Sequence, residues 1–302
     1  MKWEGQEQSR NVEDRRSSGG GGGLGGGLPR IGGRGIGLGT IVIALLASFI
    51  FGINPLTVLG VLSGGGGVGD LMGGAPTQQQ GPAQAPPPTD TAAAFVSTVL
   101  RDTEVVWGKM FQGNGGAYRD PKLVLFRGVQ PTACGMGQSA MGPFYCPGDQ
   151  KVYIDLAFFE TMQRRMNSPG DFARAYVIAH EVGHHVQTQL GITQKVDSMR
   201  GRISEVQMNQ LSVRVELQAD CFAGVWTHHS QKGKGWLEAG DIEEALNAAA
   251  QIGDDNLQRQ SQGMVVPESF THGSSAQRTA WFKRGLQSGS MQQCDTFNAR
   301  QL

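Results

Sequence analysis

Between Gly19 and Gly74 the chain places 22 glycines in 56 residues. No such stretch builds a packed core, because glycine buries no side chain and loses the most backbone freedom on folding. Gly, Pro and Gln continue to about Pro88. A core must therefore come from the remainder, roughly Thr89–Leu302, whose composition is ordinary. About 210 residues suffice for one substantial domain. Lys and Arg balance Asp and Glu at 26 each in the whole chain, and at 20 each in Thr91–Leu302. A nucleic-acid binder needs a basic footprint, so that class is excluded.

No charged residue occurs from Gly35 through Gly69. Inside this gap lies IGLGTIVIALLASFIFGI, Ile36 to Ile53. As a helix it is about 27 Å long, close to the hydrocarbon thickness of roughly 30 Å. Arg10, Arg15, Arg16, Arg30 and Arg34 precede it, and no positive charge follows until Arg101. The positive-inside rule then predicts a cytoplasmic N-terminus and an exported C-terminal domain, held in the inner membrane by a single pass. The predicted division is a disordered Gly-rich segment over 1–35, a transmembrane anchor over 36–62, a flexible Gly/Pro/Gln linker over 63–89 and a folded domain over 90–302. The four cysteines, Cys134, Cys146, Cys221 and Cys294, all fall in that domain, and an even number in an exported domain points to two disulfides. Cys134 with Cys146 would close a glycine-rich loop and leave Cys221 with Cys294; three pairings are open.

The predicted elements make an α+β domain, mainly helical with a small sheet. Thr89 or Asp90 caps a helix to about Gln112. Leu123–Gly128 and Lys151–Leu156 read as strands. A helix follows Asp171 and stops at Gly191, and a longer one covers about Ile203 to His229. Asp241 with Glu244, and Ser274 with Gln277, open two more as capping boxes, the first ending near Gly253 and the second near Gly285 or Gly289.

The helix after Asp171 contains His180-Glu181-Val182-Gly183-His184. Residues four apart share a helix face, so both imidazoles can reach one zinc ion at about 2.0–2.1 Å. Glu181 lies one position round, able to reach a metal-bound water without coordinating, as a general base must. A catalytic zinc usually takes three protein ligands. The HExxHxxGxxH extension fails at Gln187 and Leu190, so the third ligand lies elsewhere. The next helix carries Glu216-Leu-Gln-Ala-Asp220, two acids on one face of an apolar stretch. Glu216 is the predicted third ligand, and Asp220 the acceptor that takes the N–H of a ligating histidine and fixes its tautomer. His185, 100° round the helix, points away; His228 and His229 read as structural.

HEVGHHVQ followed by ELQAD resembles the bacterial neutral zinc metallopeptidases, single-pass proteins with a glycine-rich N-terminus. The resemblance extends over CPGDQKVYIDL and the late THGSSAQR. It implies a zincin-like fold with His180, His184 and Glu216 on Zn2+, Glu181 as base and Asp220 behind a ligand. It also implies a peptide or protein substrate. His272 and Arg278 are similar to a histidine-then-arginine motif of related membrane peptidases, in which the histidine helps stabilise the oxyanion; Gly273 stands where a proline is usual. KVYIDL resembles the edge strand that aligns an extended peptide. The competing reading is a non-catalytic, zinc-stabilised binding module or scaffold of the envelope. A hydrolase acting on a non-peptide amide is a third.

Overall fold

Leu123–Phe126 and Val152–Asp155 are buried at every position, as residues of an interior strand are when both faces of a sheet are covered. The computed structural model describes residues 1–17, 84–138, 142–165 and 170–302. In it, β2 (Lys122–Phe126) and β6 (Lys151–Asp155) pair in parallel, with Leu123 opposite Val152. Outside β2 runs β1 (Val12–Asp14), also parallel; outside β6 runs β5 (Phe144–Cys146), antiparallel. The sheet order is β1-β2-β6-β5. A separate hairpin, β3 (Val129–Thr132) with β4 (Gly135–Gln138), is tied to β5 by the Cys134–Cys146 disulfide.

The helices are α1 (Thr91–Gly113), α2 (Leu156–Arg165), α3 (Asp171–Gln189), α4 (Ile192–Asp197), α5 (Glu205–Lys234), α6 (Asp241–Gln251), α7 (Asp254–Gln262) and α8 (Ser275–Ser288). Asp90 caps α1 through the Ala93 N–H. Ser274 and Gln277 form the predicted capping box of α8, and Ser204 with Gln207 forms one for α5. Asp171 and Asp241 are first helical residues rather than caps; Gly170 and Gly240 hold the cap positions. The core lies where α1, α3, α5 and α8 meet. There Trp107 meets Phe222 edge-on and Phe172 stacks on Trp226.

Two close crossings set the helix positions. A Cβ on Gly183 would lie 3.0 Å from the Ala219 carbonyl oxygen and 3.2 Å from the Ala219 Cα, so α3 and α5 touch through backbone at the centre of both motifs. A Cβ on Gly224 would meet the Phe282 carbonyl, and one on Gly285 the Cys221 carbonyl. Small residues thus let α8 lie directly on α5, where Cys221–Cys294 also fastens the C-terminal segment.

The sequence-based fold class needs correction. No helix among the described residues is long and apolar enough to cross a membrane. The expected anchor over 36–62 and the linker up to residue 83 lie outside the described residues. The N-terminal segment, read as disordered and cytoplasmic, is part of the fold. Trp3 meets Phe95 edge-on and donates to Asp171. Ser9 donates to the buried Glu104, and β1 extends the sheet. Residues 1–17 therefore pack on the domain formed by the later described residues. The segment binds because Val12 is apolar and buried, while its polar neighbours find specific partners: Arg16 pairs with Asp90 at 2.6 Å and Glu13 with Lys151 at 3.0 Å. KVYIDL also departs from expectation, since β6 is interior and the edge strands are β1 and β5.

Candidate metal centre

The α3–α5 contact at Gly183 brings the two motif faces together. His180 Nε2 lies 3.2 Å from one Glu216 oxygen, and His184 Nε2 lies 3.6 Å from the other. Among the described residues, His180, His184 and Glu216 form a group whose ligand atoms all lie within 4.8 Å of one another. A tetrahedral zinc with bonds near 2.0–2.1 Å has ligand atoms about 3.4 Å apart. The two His–Glu separations, each to a different Glu216 oxygen, lie close to that edge. Two imidazoles and one carboxylate are also the donor set of a catalytic zinc rather than of a closed structural one. The residues present fit the ion.

Asp220 is fully buried behind His180. Its carboxylate accepts the His180 Nδ1–H at 2.9 Å, two N–H bonds from Arg278 at 2.9 Å each, and the Tyr176 hydroxyl. This fixes the proton on Nδ1 and turns Nε2 to the site. Arg278 lies just 1% exposed, and its bidentate grip supplies the charge that a buried carboxylate requires. The late arginine is thus assigned to orienting Asp220.

The electrostatics follow from this clustering. Burial alone would lower the His180 pKa, but the Asp220 charge and hydrogen bond outweigh it and raise it to about 10. Burial lowers that of His184. Burial would raise the Glu216 carboxyl, yet the imidazoles hold it far below the usual range. Glu181 has no comparable partner. Burial pushes it up to about 7, with Glu216 adding and His180 and the Tyr145 backbone opposing. One carboxylate of the site is held ionised, and the adjacent one is poised near neutrality.

Structure places the remaining histidines as follows. His185 faces away, bonding the Tyr145 hydroxyl at 3.0 Å and the Arg119 carbonyl at 2.7 Å. His228 and His229 donate to the Leu286 and Gly289 carbonyls near the end of α8, a structural role. His272 lies in the loop before α8 with Nδ1 3.1 Å from Asp254. Asp254 also accepts the backbone N–H groups of Thr271, His272 and Gly273. The loop lies against α5: a Cβ on Gly273 would touch Leu217. Charge on His272 is felt at Glu216, while burial and Asp254 oppose each other at the imidazole, whose pKa is raised. The glycine in place of proline has a physical reason. Gly273 sits at φ +87°, and proline is locked near −65°. Asp254 was not legible in the sequence, because its acceptors face a loop 17 to 19 residues away.

Comparison with known proteins accords with this geometry. The model of the family described as "Putative neutral zinc metallopeptidase" matches residues 1–297. The chain is 52% identical over 299 residues to the uncharacterized protein YpfJ of Escherichia coli strain K12, covering 98% of this chain and 99% of that one. It is 42% identical over 211 residues to the uncharacterized protein Rv2575 of Mycobacterium tuberculosis, covering 66% and 68%. No solved structure gives a significant match.

Proposed function

Given that the chain belongs to the neutral zinc metallopeptidase family, we propose that it is a zinc-dependent endopeptidase in which Glu181 is the general base. The observation that carries this is the position of Glu181 beside, but outside, the three-donor group, buried and with a pKa raised to about 7. A structural metal site needs no such carboxylate. A base works best with a pKa near the operating pH.

His180, His184 and Glu216 would hold the ion. When bound, zinc supplies an acidified water and a Lewis-acid contact for the scissile carbonyl. Glu181 takes one proton as the water oxygen attacks the carbonyl carbon. It gives that proton to the amide nitrogen as the C–N bond breaks. His272, oriented by Asp254, stands as the cation for the developing oxyanion. An extended peptide adds to the β5 edge of the described sheet, where the Tyr145 backbone faces Glu181, with main-chain hydrogen bonds supplying affinity. The two disulfides support an oxidising compartment for the domain, including its N-terminal segment.

The test is hydrolysis of an unfolded protein by the zinc-loaded chain, with a chelator control. Glu181→Gln is expected to keep stoichiometric zinc and lose at least a hundredfold in rate. Wild-type rates from that variant remove Glu181 as base. Glu216→Ala is expected to lose the ion; a full zinc complement removes Glu216 from the ligand set. A wild-type chain that binds zinc yet cleaves nothing favours a binding module.

A further inference from the structure

Each motif carries one glutamine that the reaction leaves unused: Gln187 in HEVGHHVQ and Gln218 in ELQAD. Both are buried, and they bond to each other. Gln187 Oε1 lies 2.9 Å from His184 Nδ1. Gln187 Nε2 donates to the Val215 carbonyl at 2.7 Å and to Gln218 Oε1 at 3.1 Å. Gln218 Nε2 donates to the Cys294 carbonyl at 2.9 Å. That carbonyl also accepts the Thr296 N–H at 3.0 Å, and its residue is fastened to α5 through Cys221.

The orientation of every group in this chain is forced. Backbone carbonyls only accept, so Gln218 must turn its NH2 to Cys294 and its oxygen to Gln187. Gln187 must turn its NH2 to Val215 and Gln218, which leaves its oxygen for His184. An oxygen facing Nδ1 requires the ring proton there. The lone pair of His184 then sits on Nε2, the atom facing Glu216. His180 reaches the same tautomer through a charged acceptor, Asp220, and His184 reaches it through a neutral one.

From this the structure assigns Gln187 as the positioning residue that holds His184 in its metal-ready tautomer, with Gln218 locking Gln187 to the disulfide-anchored C-terminal segment. The assignment rests on the metal-centre reading above. Neither glutamine touches the donor triangle, so each acts through His184. Acceptors behind a ligating histidine typically matter by about 10–100-fold in metal affinity. Gln187 has a second anchor in the Val215 carbonyl, so Gln218 carries the smaller share.

The test uses the full chain, zinc and a competing chromophoric chelator. Gln187→Met is expected to weaken zinc binding about tenfold or more, and Gln218→Met a few-fold. In the Gln187→Met background, Gln218→Met is expected to add nothing, because its route to the metal is already cut. A role in packing alone would instead give losses that multiply. Melting of the zinc-free variants separates a folding defect from a site defect. Ring 15N shifts of His184 in the zinc-free wild type are expected to show the proton on Nδ1, and Gln187→Met to release it towards Nε2. Zinc affinity within twofold of wild type in Gln187→Met, an undiminished Gln218→Met loss in the double variant, or a wild-type proton on Nε2 each overturns the assignment. A wild-type chain that takes up no zinc overturns the metal reading instead, and the tautomer readout then stands alone as the test of the glutamine pair.

Discussion

Glu181→Gln is expected to stabilise the metal-free protein while slowing the proposed hydrolysis at least a hundredfold. The Glu181 pKa is raised to about 7 in the folded chain from the ordinary 4.5. The folded state therefore binds this proton more tightly than the unfolded state. The stability that the proton confers is complete below about 4.5 and is lost as pH rises to about 7. The gap of about 2.5 pKa units corresponds to about 3 kcal/mol. Glutamine matches the shape of the neutral acid and carries no such loss. Wild type and variant should melt together near pH 4.5, separate progressively to pH 7, and remain a constant distance apart to pH 9. For a domain of this size, about 3 kcal/mol is roughly 6–12 °C in Tm. The assay is thermal unfolding followed by circular dichroism with a chelator present, from pH 4.5 to 9. The gap should shrink when zinc is added, since a neighbouring cation stabilises the carboxylate. Equal melting temperatures at pH 8 without zinc would refute the claim that burial strains Glu181.

Other substitutions probe the scaffold. Gly183→Ala gains about 1 kcal/mol of helix propensity, but its methyl meets the Ala219 backbone at 3.0 Å, an overpacking cost of about 1–3 kcal/mol. Weaker zinc binding by chelator competition, with Tm unchanged or lowered, is the expected result. Arg278→Met strands the buried Asp220 carboxylate and should cost about 3–5 kcal/mol in denaturant unfolding. Adding Asp220→Leu should recover part of that stability and none of the zinc affinity, because His180 stays unanchored.

The grouping of His180, His184 and Glu216 was legible because helical spacing translates directly into geometry. His180 and His184, and Glu216 and Asp220, are each four apart, so placing two helices side by side was enough to propose the donor set. The Ser274–Gln277 box was equally local. What escaped was non-local. Val12–Asp14 is a short strand in a polar run, and its partner Leu123–Leu125 is more than a hundred residues away; no period or propensity marks it. The same distance hid the edge strand, since strand order is not written in any single strand. Gln187 and Gln218 read as unremarkable helical polar residues until their mutual contact appears. Gly183 did carry a signal, as glycine inside a helix costs about 1 kcal/mol and so implies something pressed against it.

The pairing of Asp14 with Gln84 decides where a disturbance of the N-terminal segment is felt first. The Asp14 N–H donates to the Gln84 carbonyl at 2.7 Å, so two described segments far apart in sequence meet at one point. That point sits on the β1 border, three strand spacings, about 14 Å, from the β5 border beside the histidines. A disturbance there reaches Val12–Asp14 and its partner β2 before it reaches α3 and α5, which carry the donor group.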